Sequence, residues 1–329
     1  MSIRVVHAGV LDTLQDLGRI GYGSWGINTN GVMDRFAAQA ANALVGNAVD
    51  TGVLEMHFPA SRFYAEADCL MSITGADFRA CIDDVPVQSW KPLLVRKGSN
   101  LSFTGRRWGS RCYVAVCGGF AVTSWLGSVS TNLKTGTGGW QGRALRKNDL
   151  LPLCSGIPRG LTTVAAVTPL PWSVGWEDVY SAANGVQFIA GREWDWLTEA
   201  SQQAILTERW RVDSRSDRMG YSLQGPVLAF RERHELLSSG VSFGTVQGLP
   251  GGALVILMAD HQTTGGYPRV AHILSAHLPL LAQLCAGDTI QFYKTTPEAA
   301  ENILLSLQSR IDRMVRSCAD KLQAYVQAH

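Results

Sequence analysis

The residues best suited to chemistry follow the most apolar run of the chain. This run, Ala253–Ala259, leads directly into the polar segment Asp260–Arg269, DHQTTGGYPR. A buried strand that delivers a carboxylate, an amide and two hydroxyls onto a glycine turn is a common way to build a binding site. The candidates here are Asp260, Gln262, Thr263, Thr264, Gly265 and Gly266, with Gln247, before the strand, as a weaker member.

A second polar segment, Ser128–Arg143, combines hydroxyls, two cations and a run of glycines. Exposed backbone N–H groups beside cationic side chains can cradle a carboxylate or a phosphate. The alternative is a mobile loop. The candidates for substrate or nucleotide binding in this segment are Lys134, Gly138, Gly139 and Arg143.

Three shorter segments complete the set of candidate binding or catalytic segments. If Ser216–Tyr221 is a strand edge, Asp217 and Arg218 point to opposite faces, so each needs its own partner. A structural ion pair is the alternative for Arg218. Asp77 lies in a strand-ending turn, and Gly31–Arg35 precedes a helix, where N–H groups can hold an anion or where the residues are an ordinary helix cap.

Two standard catalytic signatures are missing from this sequence. It contains no GxxxxGK[ST] phosphate loop and no HExxH zinc motif. Among the seven histidines, His272 and His277 come nearest to a ligand spacing, yet they are five residues apart. We therefore expect no metal site.

Short β runs bounded by glycine dominate the chain. Such runs, rich in β-branched and aromatic residues, are typical of strands. Since they do not alternate with long helices, a doubly wound parallel sheet is disfavoured and barrel or sandwich domains are favoured. The clearest runs are Leu70–Thr74, Leu93–Arg96, Cys112–Val116 and Leu254–Met258.

Three helices are predicted. Asp34 caps a helix that runs through Val45, and Thr198–Leu206 is a shorter candidate. The third begins at the cap Thr296, with Pro297 in its first position. Its apolar stripe recurs at spacings of three and four, and we expect it to pack on its own chain rather than on a partner. The stripe consists of Leu304, Leu307, Ile311, Met314, Cys318, Leu322 and Tyr325.

The length of 329 residues allows two domains. A proline-rich stretch with little periodicity separates them, which predicts an N-terminal domain over 1–155, a connecting segment over 156–185, a C-terminal domain over 186–296 and a terminal helix over 297–329.

Composition and charge exclude several classes of protein. With 46% hydrophobic and 17% charged residues, the chain is not disordered. Its net charge of +2 and the lack of a basic block disfavour nucleic acid as a partner. The longest apolar run is far shorter than the roughly 20 residues of a membrane span. The first ten residues lack a secretory pattern and none of the seven cysteines forms a CxxC pair, so we expect reduced thiols and a cytoplasmic location.

Several motifs together carry a resemblance to a known family. Thr13–Arg19, TLQDLGR, resembles the TVQDxGR opening of the biotin-dependent carboxyltransferase-like proteins, a family that includes allophanate hydrolase subunit 2 and the C subunit of 5-oxoprolinase. The similarity covers nearly the whole chain, although the segment around Ala165–Gly185 is longer than usual in the family. Further matching segments are Gly31–Phe36, Ala41–Asn47, Leu54-Glu55, Thr74–Asp77, Tyr113–Gly119, Leu126–Ser128, Ser130–Lys134, Ser216–Tyr221, Glu235–Ser238 and Asp260–Arg269.

The resemblance implies a mainly β fold with a few helices, built from two cyclophilin-like β-barrel domains. It also implies that the protein is the C subunit of a 5-oxoprolinase, which works with subunits A and B. Together they would convert the small anionic substrate 5-oxo-L-proline, with ATP, Mg²⁺ and water, to L-glutamate, ADP and phosphate. One alternative is the carboxyltransferase component of a biotin-dependent carboxylase acting on urea or a similar amide. Another is a non-catalytic regulator that binds a kinase inhibitor.

The implied reaction suggests roles for the candidate residues. Phosphorylation of the lactam carbonyl needs cations for the phosphates and donors aimed at the developing oxyanion. The candidates for binding the anionic groups are Arg218, Arg143 and Lys134. Asp260 or Asp77 would act as the base or bind Mg²⁺. The donors would be Gln262, Thr263, Thr264 and the backbone of Gly265 and Gly266.

Overall fold

The computed structural model describes residues 1–158, 160–161, 165–181, 185–232 and 236–328. The chain forms two compact units. Unit 1 comprises Met1–Arg19, Asp34–Trp176 and Ser309–His329, and unit 2 comprises Ile20–Met33 and Glu177–Gln308. Each unit therefore contains segments that are distant in the sequence.

Unit 1 contains two six-stranded antiparallel sheets. The first has the strand order β11-β1-β4-β9-β6-β7 and the second the order β12-β8-β5-β10-β3-β2. One continuous apolar cluster, which includes Leu14, Ile73, Phe78 and Val114, forms the core of this unit. The strands are β1 Ser2–His7, β2 Thr13–Gln15, β3 Val53–His57, β4 Arg62–Ala65, β5 Cys69–Asp77, β6 Ala80–Ile82, β7 Val85–Pro86, β8 Pro92–Val95, β9 Asn100–Phe103, β10 Trp108–Val116, β11 Leu150–Pro152 and β12 Val167–Pro169.

Unit 2 is built on a closed seven-stranded barrel with the order β13-β20-β17-β18-β15-β14-β21. A parallel pairing of β13 with β21 closes it, and the other pairings are antiparallel. Phe188, Trp210 and Ile256 are fully buried in its core. The barrel strands are β13 Val186–Ala190, β14 Arg209–Val212, β15 Gly220–Gln224, β17 Thr245–Gly248, β18 Leu254–Leu257, β20 Arg269–Ile273 and β21 Thr289–Lys294, and β16 Ser239–Gly240 pairs with β19 Thr264–Gly265 as a separate ribbon.

The described residues include four α-helices: α1 Arg35–Leu44, α2 Glu199–Thr207, α3 Leu278–Ala282 and α4 Pro297–Ala328. The Asp34 carboxylate accepts a hydrogen bond from the Ala37 N–H at 2.9 Å, and Thr198 caps α2 in the same way through the Ser201 N–H. The Thr296 hydroxyl accepts from the Ala299 N–H at the start of α4. The three predicted helices are therefore confirmed. Each begins at a cap residue whose side chain accepts a hydrogen bond from a backbone N–H that the first helical turn leaves without a partner.

The expected burial of the α4 stripe is confirmed for its second half. Ile311 and Cys318 are buried, and the Tyr325 ring packs edge-to-face on Trp172. Leu304, in the first half, is 44% exposed. Within the described residues, no helix has the length and apolar character that crossing a bilayer requires.

The mainly β fold expected from the sequence is confirmed, and the predicted strand runs all lie within observed strands or reach one residue beyond them. Residues 165–176, within the expected connecting segment 156–185, contribute structure to unit 1, because β12 pairs with β8 and Trp172 is buried. The domain boundaries themselves stay a prediction. All seven cysteines lie within the described residues and are free thiols, and four of them are buried.

A buried carboxylate joins two turns of unit 1. Asp12 is 1% exposed, and its carboxylate accepts hydrogen bonds from the N–H groups of His57 and Ser61, at 3.1 and 2.6 Å. Burial raises the pKa of Asp12 from 3.8 to about 6, although these hydrogen bonds oppose the rise. The folded chain therefore keeps a proton on Asp12 at pH values where the unfolded chain has lost it.

This difference in pKa predicts how stability depends on pH. Between pH 4 and 6 the folded state binds more protons than the unfolded state, so the contribution of Asp12 to the free energy of unfolding falls as pH rises. We expect the stability of the wild type relative to Asp12→Asn to fall by about 2 kcal/mol between pH 4 and pH 7. Urea unfolding at both pH values measures this difference. The exposed Asp50→Asn is the control, and a flat or rising difference for Asp12→Asn contradicts the prediction.

Candidate functional site

The candidate site in unit 2 begins at the turn before β15. The Asp217 carboxylate accepts hydrogen bonds from the N–H groups of Met219 and Gly220, and this Asx turn fixes the backbone around Arg218. The strand starts only at Gly220, so the assumption of a strand edge at 217–218 is wrong. The conclusion that Asp217 and Arg218 each have a separate partner nevertheless holds, because the Asp217 side chain is used within the turn.

Arg218 forms a buried, bidentate ion pair with Asp260. Its Nε donates to Asp260 Oδ2 at 2.8 Å and its Nη2 to Oδ1 at 3.0 Å, and the side chains are 5% and 12% exposed. The Asp260 N–H also donates to the Arg218 carbonyl, which joins the two turns through the backbone. The alternative expectation of an ion pair at Arg218 therefore describes the observed geometry.

Residues 28–31 complete this cluster. Asn30 Nδ2 donates to Asp260 Oδ1 at 2.7 Å, and Asn28 Nδ2 donates to the Asp260 carbonyl. Arg218 Nη2 also donates to the carbonyl of Gly31 at 2.6 Å. We refer to Asn28, Asn30, Gly31, Arg218 and Asp260 as the Arg218 cluster.

The sequence reasoning anticipated only part of this arrangement. For Gly31–Arg35 it left open an anion site or an ordinary helix cap; Asp34 is the helix cap, and Gly31 contributes its carbonyl to Arg218. It missed Asn28 and Asn30. The Asn-Gly pair at 30–31 marks a turn in the sequence, but a turn signal does not reveal which distant side chain it will meet.

His261 is a further functional candidate that the sequence reasoning missed. The residue is 6% exposed, and its Nδ1 lies against the carbonyl of Gln262. Since a carbonyl only accepts, Nδ1 carries the proton and Nε2 carries a lone pair. Burial lowers the pKa of His261, although the Gln262 carbonyl and Asp260 oppose the shift. The ring is therefore neutral at pH 7 and can accept a proton at Nε2.

The segment that follows Asp260 contacts strand β17 of the barrel at Gln247. Gln247, in β17, is 2% exposed, and its Nε2 has no hydrogen-bond partner in the described part of the chain. A Cβ at Gly265 would lie 2.6 Å from this nitrogen, so glycine permits the close approach. The Thr264 side chain is exposed, and Gln262 and Thr263 are partly exposed. The structure therefore brings Gln247 beneath the predicted glycine turn.

The Ser128–Arg143 segment lies in unit 1, where its hydroxyls bind the TLQDLGR motif. The Asp16 carboxylate accepts hydrogen bonds from the hydroxyls of Ser128 and Ser130, at 2.7 and 2.6 Å, and from the N–H groups of Val129 and Gly18. The Arg19 Nη2 donates to the Ser130 carbonyl. The TLQDLGR motif thus binds the base of this segment through side-chain and backbone hydrogen bonds.

The remaining candidates of that segment also make internal contacts. A Cβ at Gly138 or Gly139 would clash with the Ser130–Thr131 backbone and side chain. The Arg143 fork binds both oxygens of Asp149, at 2.7 and 2.8 Å. Arg143 would therefore have to release Asp149 before it could bind a substrate anion. Lys134 is exposed, and its predicted role is compatible with that position.

Asp77 ends β5 in unit 1, whereas Asp260 belongs to unit 2. Asp77 Oδ1 accepts a hydrogen bond from the Arg79 N–H at 2.9 Å, so one oxygen stabilises a turn. In the part of the chain that the structure describes, no group of three or more His, Cys, Asp or Glu side chains is arranged to hold a metal ion. His234, Glu235 and His329 lie outside the described residues.

The contact between Gly265 and Gln247 can be tested by a double-mutant cycle. We expect Gly265→Ala to destabilise the protein by about 1–3 kcal/mol because the added methyl group overpacks against Gln247. The same substitution should cost less in a Gln247→Ala background, since the clashing amide is then absent. Chemical unfolding of the four proteins measures both effects. Gly251→Ala, with no atom within 4 Å of its Cβ, is the control, and an equal cost in both backgrounds contradicts the contact.

Comparison with known proteins places this chain in a family. Residues 25–294 match the family model described as "Carboxyltransferase domain, subdomain A and B". The C subunit of 5-oxoprolinase from Escherichia coli (strain K12) is 37% identical over 298 residues, which cover 91% of this chain and 93% of that protein. The protein of the same name from Haemophilus influenzae is 34% identical, with 94% and 96% covered.

The fold is also shared with a solved structure. The crystal structure of the Kluyveromyces lactis urea carboxylase superimposes with a TM-score of 0.85 at 25% identity, covering 95% of this chain and 29% of that one. The resemblance stated from the sequence motifs is thereby confirmed. The chain belongs to the carboxyltransferase domain family that comprises subdomains A and B.

Proposed function

We propose that this chain is the C subunit of an ATP-dependent 5-oxoprolinase, which works in the cytoplasm with subunits A and B to convert 5-oxo-L-proline to L-glutamate. The observation that carries the proposal is the end-to-end similarity to two proteins named as this 5-oxoprolinase component, of which the chain covers 93% and 96%. Its match to the urea carboxylase covers 29% of that larger protein. The similarity therefore extends over nearly the whole length of a 5-oxoprolinase component.

The Arg218 cluster supplies a fixed carboxylate beside the polar turn. Arg218 and Asn30 together donate three hydrogen bonds to the oxygens of Asp260. This arrangement holds the Asp260 side chain in one orientation and compensates its buried charge. In the proposed function Arg218 is a positioning residue for Asp260, while Thr263, Thr264 and the backbone of Gly265 and Gly266 donate hydrogen bonds to the lactam oxygen.

His261 supplies the proton acceptor. Attack of water on an activated lactam carbonyl requires a base that takes the water proton, and a neutral imidazole serves this purpose near pH 7. Nδ1 is engaged by the Gln262 carbonyl, which orients the ring and leaves Nε2 for the water. We assign this role to His261 rather than to Asp260, because both Asp260 oxygens already accept hydrogen bonds.

The two acidic candidates for Mg²⁺ are already engaged by other groups of this chain. Asp260 is occupied by Arg218, and one of the two Asp77 oxygens accepts the Arg79 N–H. Mg²⁺ in a nucleotide site takes one or two carboxylates beside the phosphates, and those carboxylates must be open to the ion. We therefore propose that another subunit of the assembly binds the nucleotide.

Reconstitution tests the function and the role of Arg218. The complete assembly of subunits A, B and C should release glutamate from 5-oxoproline, and omission of any one subunit should abolish this release. We expect Arg218→Ala to lose about 2 kcal/mol or more of transition-state stabilisation, measured as kcat/KM. Arg215→Ala, whose side chain is 81% exposed, is the matched control.

Circular dichroism and co-purification with the partners must show that the Arg218→Ala protein folds and assembles, and Arg218→Lys provides a second variant that keeps the charge without the fork. Wild-type turnover in both variants contradicts the role of Arg218. No glutamate release by the complete wild-type assembly contradicts the function itself.

The assignment of His261 makes a separate prediction. His261→Asn keeps a donor to the Gln262 carbonyl but removes the lone pair of Nε2, so kcat should fall by about 100-fold or more. In the wild type, kcat should fall toward low pH as His261 becomes protonated. This fall should be absent from the residual activity of His261→Asn. His7→Asn, at an exposed position of β1, is the control. An unchanged pH profile contradicts the role of His261 as the base.

The second candidate is a carboxyltransferase component of a biotin-dependent carboxylase. The TM-score of 0.85 to the urea carboxylase over 95% of this chain favours it. This function needs a separate biotinylated carrier, and biotin enters only under this alternative. Carboxylation of urea or a similar amide in the presence of a carboxybiotin carrier, without any glutamate release from 5-oxoproline, would support it over the proposed function.

A further inference from the structure

A groove of about 290 Å³ lies on unit 1, between the second half of α4 and the strap Ser173–Gly175. We call it the α4 groove. Its lining contains three cationic side chains and no acidic one. The lining residues are Ser173, Val174, Gly175, Arg310, Arg313, Met314, Ser317, Cys318 and Lys321.

The cations of the groove lie on one face of α4. Arg310, Arg313 and Lys321 recur at helical spacings, with Ser317 between them, so their side chains project toward the same space. In the described part of the chain, Arg313 and Lys321 form no ion pair or hydrogen bond. Like charges on one helix face repel each other, and an anion between them would remove that repulsion.

The walls of the groove are fixed by contacts within unit 1. Arg310 Nη2 donates to the Gly175 carbonyl at 2.7 Å, and its guanidinium lies 5.4 Å from the centre of the Phe36 ring. The buried Val174 donates its N–H to the Trp90 carbonyl. The strap and the helix are therefore held together without a ligand, and binding need not order them.

The strap turns a charged helix face into a lined groove. Arg313 and Lys321 are exposed, and screening makes an isolated exposed charge a weak binder of anions. Ser173, Val174 and Gly175 form the wall opposite α4 and limit the space that an anion can occupy beside these charges. The groove can therefore select an anion by its size as well as by its charge.

The size and charge of the groove define the ligand. Its volume is just below the range of roughly 300–1,000 Å³ that is typical of small-molecule pockets, so it suits a small ligand. The polar groups of the groove suit an oxyanion. Arg313 and Lys321 have no partners among the described residues, Arg310 forms one wall, and Ser317 supplies a hydroxyl. We propose that the α4 groove binds a small oxyanion carrying two or more negative charges, either a phosphate or a dicarboxylate. This inference goes beyond the proposed function and does not depend on it.

Calorimetric titration of the full-length protein with pyrophosphate, and separately with glutarate, tests the proposal. Both titrations are run with NaCl adjusted to constant ionic strength, which separates binding from screening. We expect saturable binding of at least one probe, weakened about tenfold or more in the double variant Arg313→Ala/Lys321→Ala. Arg316→Ala, an exposed position on the same helix outside the groove lining, is the matched control and should keep the wild-type affinity.

The outcomes distinguish the ligand classes and the proposal itself. Saturation by pyrophosphate alone identifies a phosphate site, and saturation by glutarate alone identifies a dicarboxylate site. Because all three substituted side chains are exposed, the variants should fold, and thermal unfolding checks this. The proposal is overturned if neither probe saturates, or if the double variant and Arg316→Ala bind with the same affinity.

Discussion

The ion pair between Arg218 and Asp260 is the interaction on which the candidate site depends. A buried charge is costly unless it is paired and its remaining hydrogen-bonding groups are satisfied. Arg218 meets this requirement with two bonds to Asp260 and one to the Gly31 carbonyl, and Asn30 adds a further bond to the carboxylate. The turns at 217–220 and 258–261 and the segment at 28–31 are consequently constrained together. His261 follows Asp260 directly, so the same pair determines where the imidazole lies.

Unit 1 uses its polar motif residues in a different way. Asp16 accepts four hydrogen bonds from Gly18 and from residues 128–130. Gln15 Nε2 donates to the Thr131 carbonyl, and the Thr131 hydroxyl donates to the carbonyl of Leu14. Two motifs that resemble the family pattern thus bind each other. Such hydroxyls and carboxylates look like catalytic groups in a sequence, yet here they satisfy buried backbone donors and acceptors.

Helix α4 illustrates how one amphipathic pattern can serve two purposes. Ile311 and Cys318 bury an apolar seam, and Arg313 and Lys321 lie beside that seam at the edge of the α4 groove. Long cationic side chains can cover apolar surface with their stems while their charges stay in water. The helix thereby packs on unit 1 and also presents positive charge, without burying an unpaired cation.

The sequence by itself determined the local structure and the family. Asp34, Thr198 and Thr296 mark helix starts, and apolar runs bounded by glycine mark strands, because caps and periodicity act over a few residues. Only the tertiary structure decided which polar groups meet. Arg218 lies 42 residues from Asp260 and 187 from Gly31, and Ser128 lies 112 residues from Asp16. No local pattern encodes such pairings, since they arise when the barrel and the sheets bring distant turns together and every buried charge must find a partner.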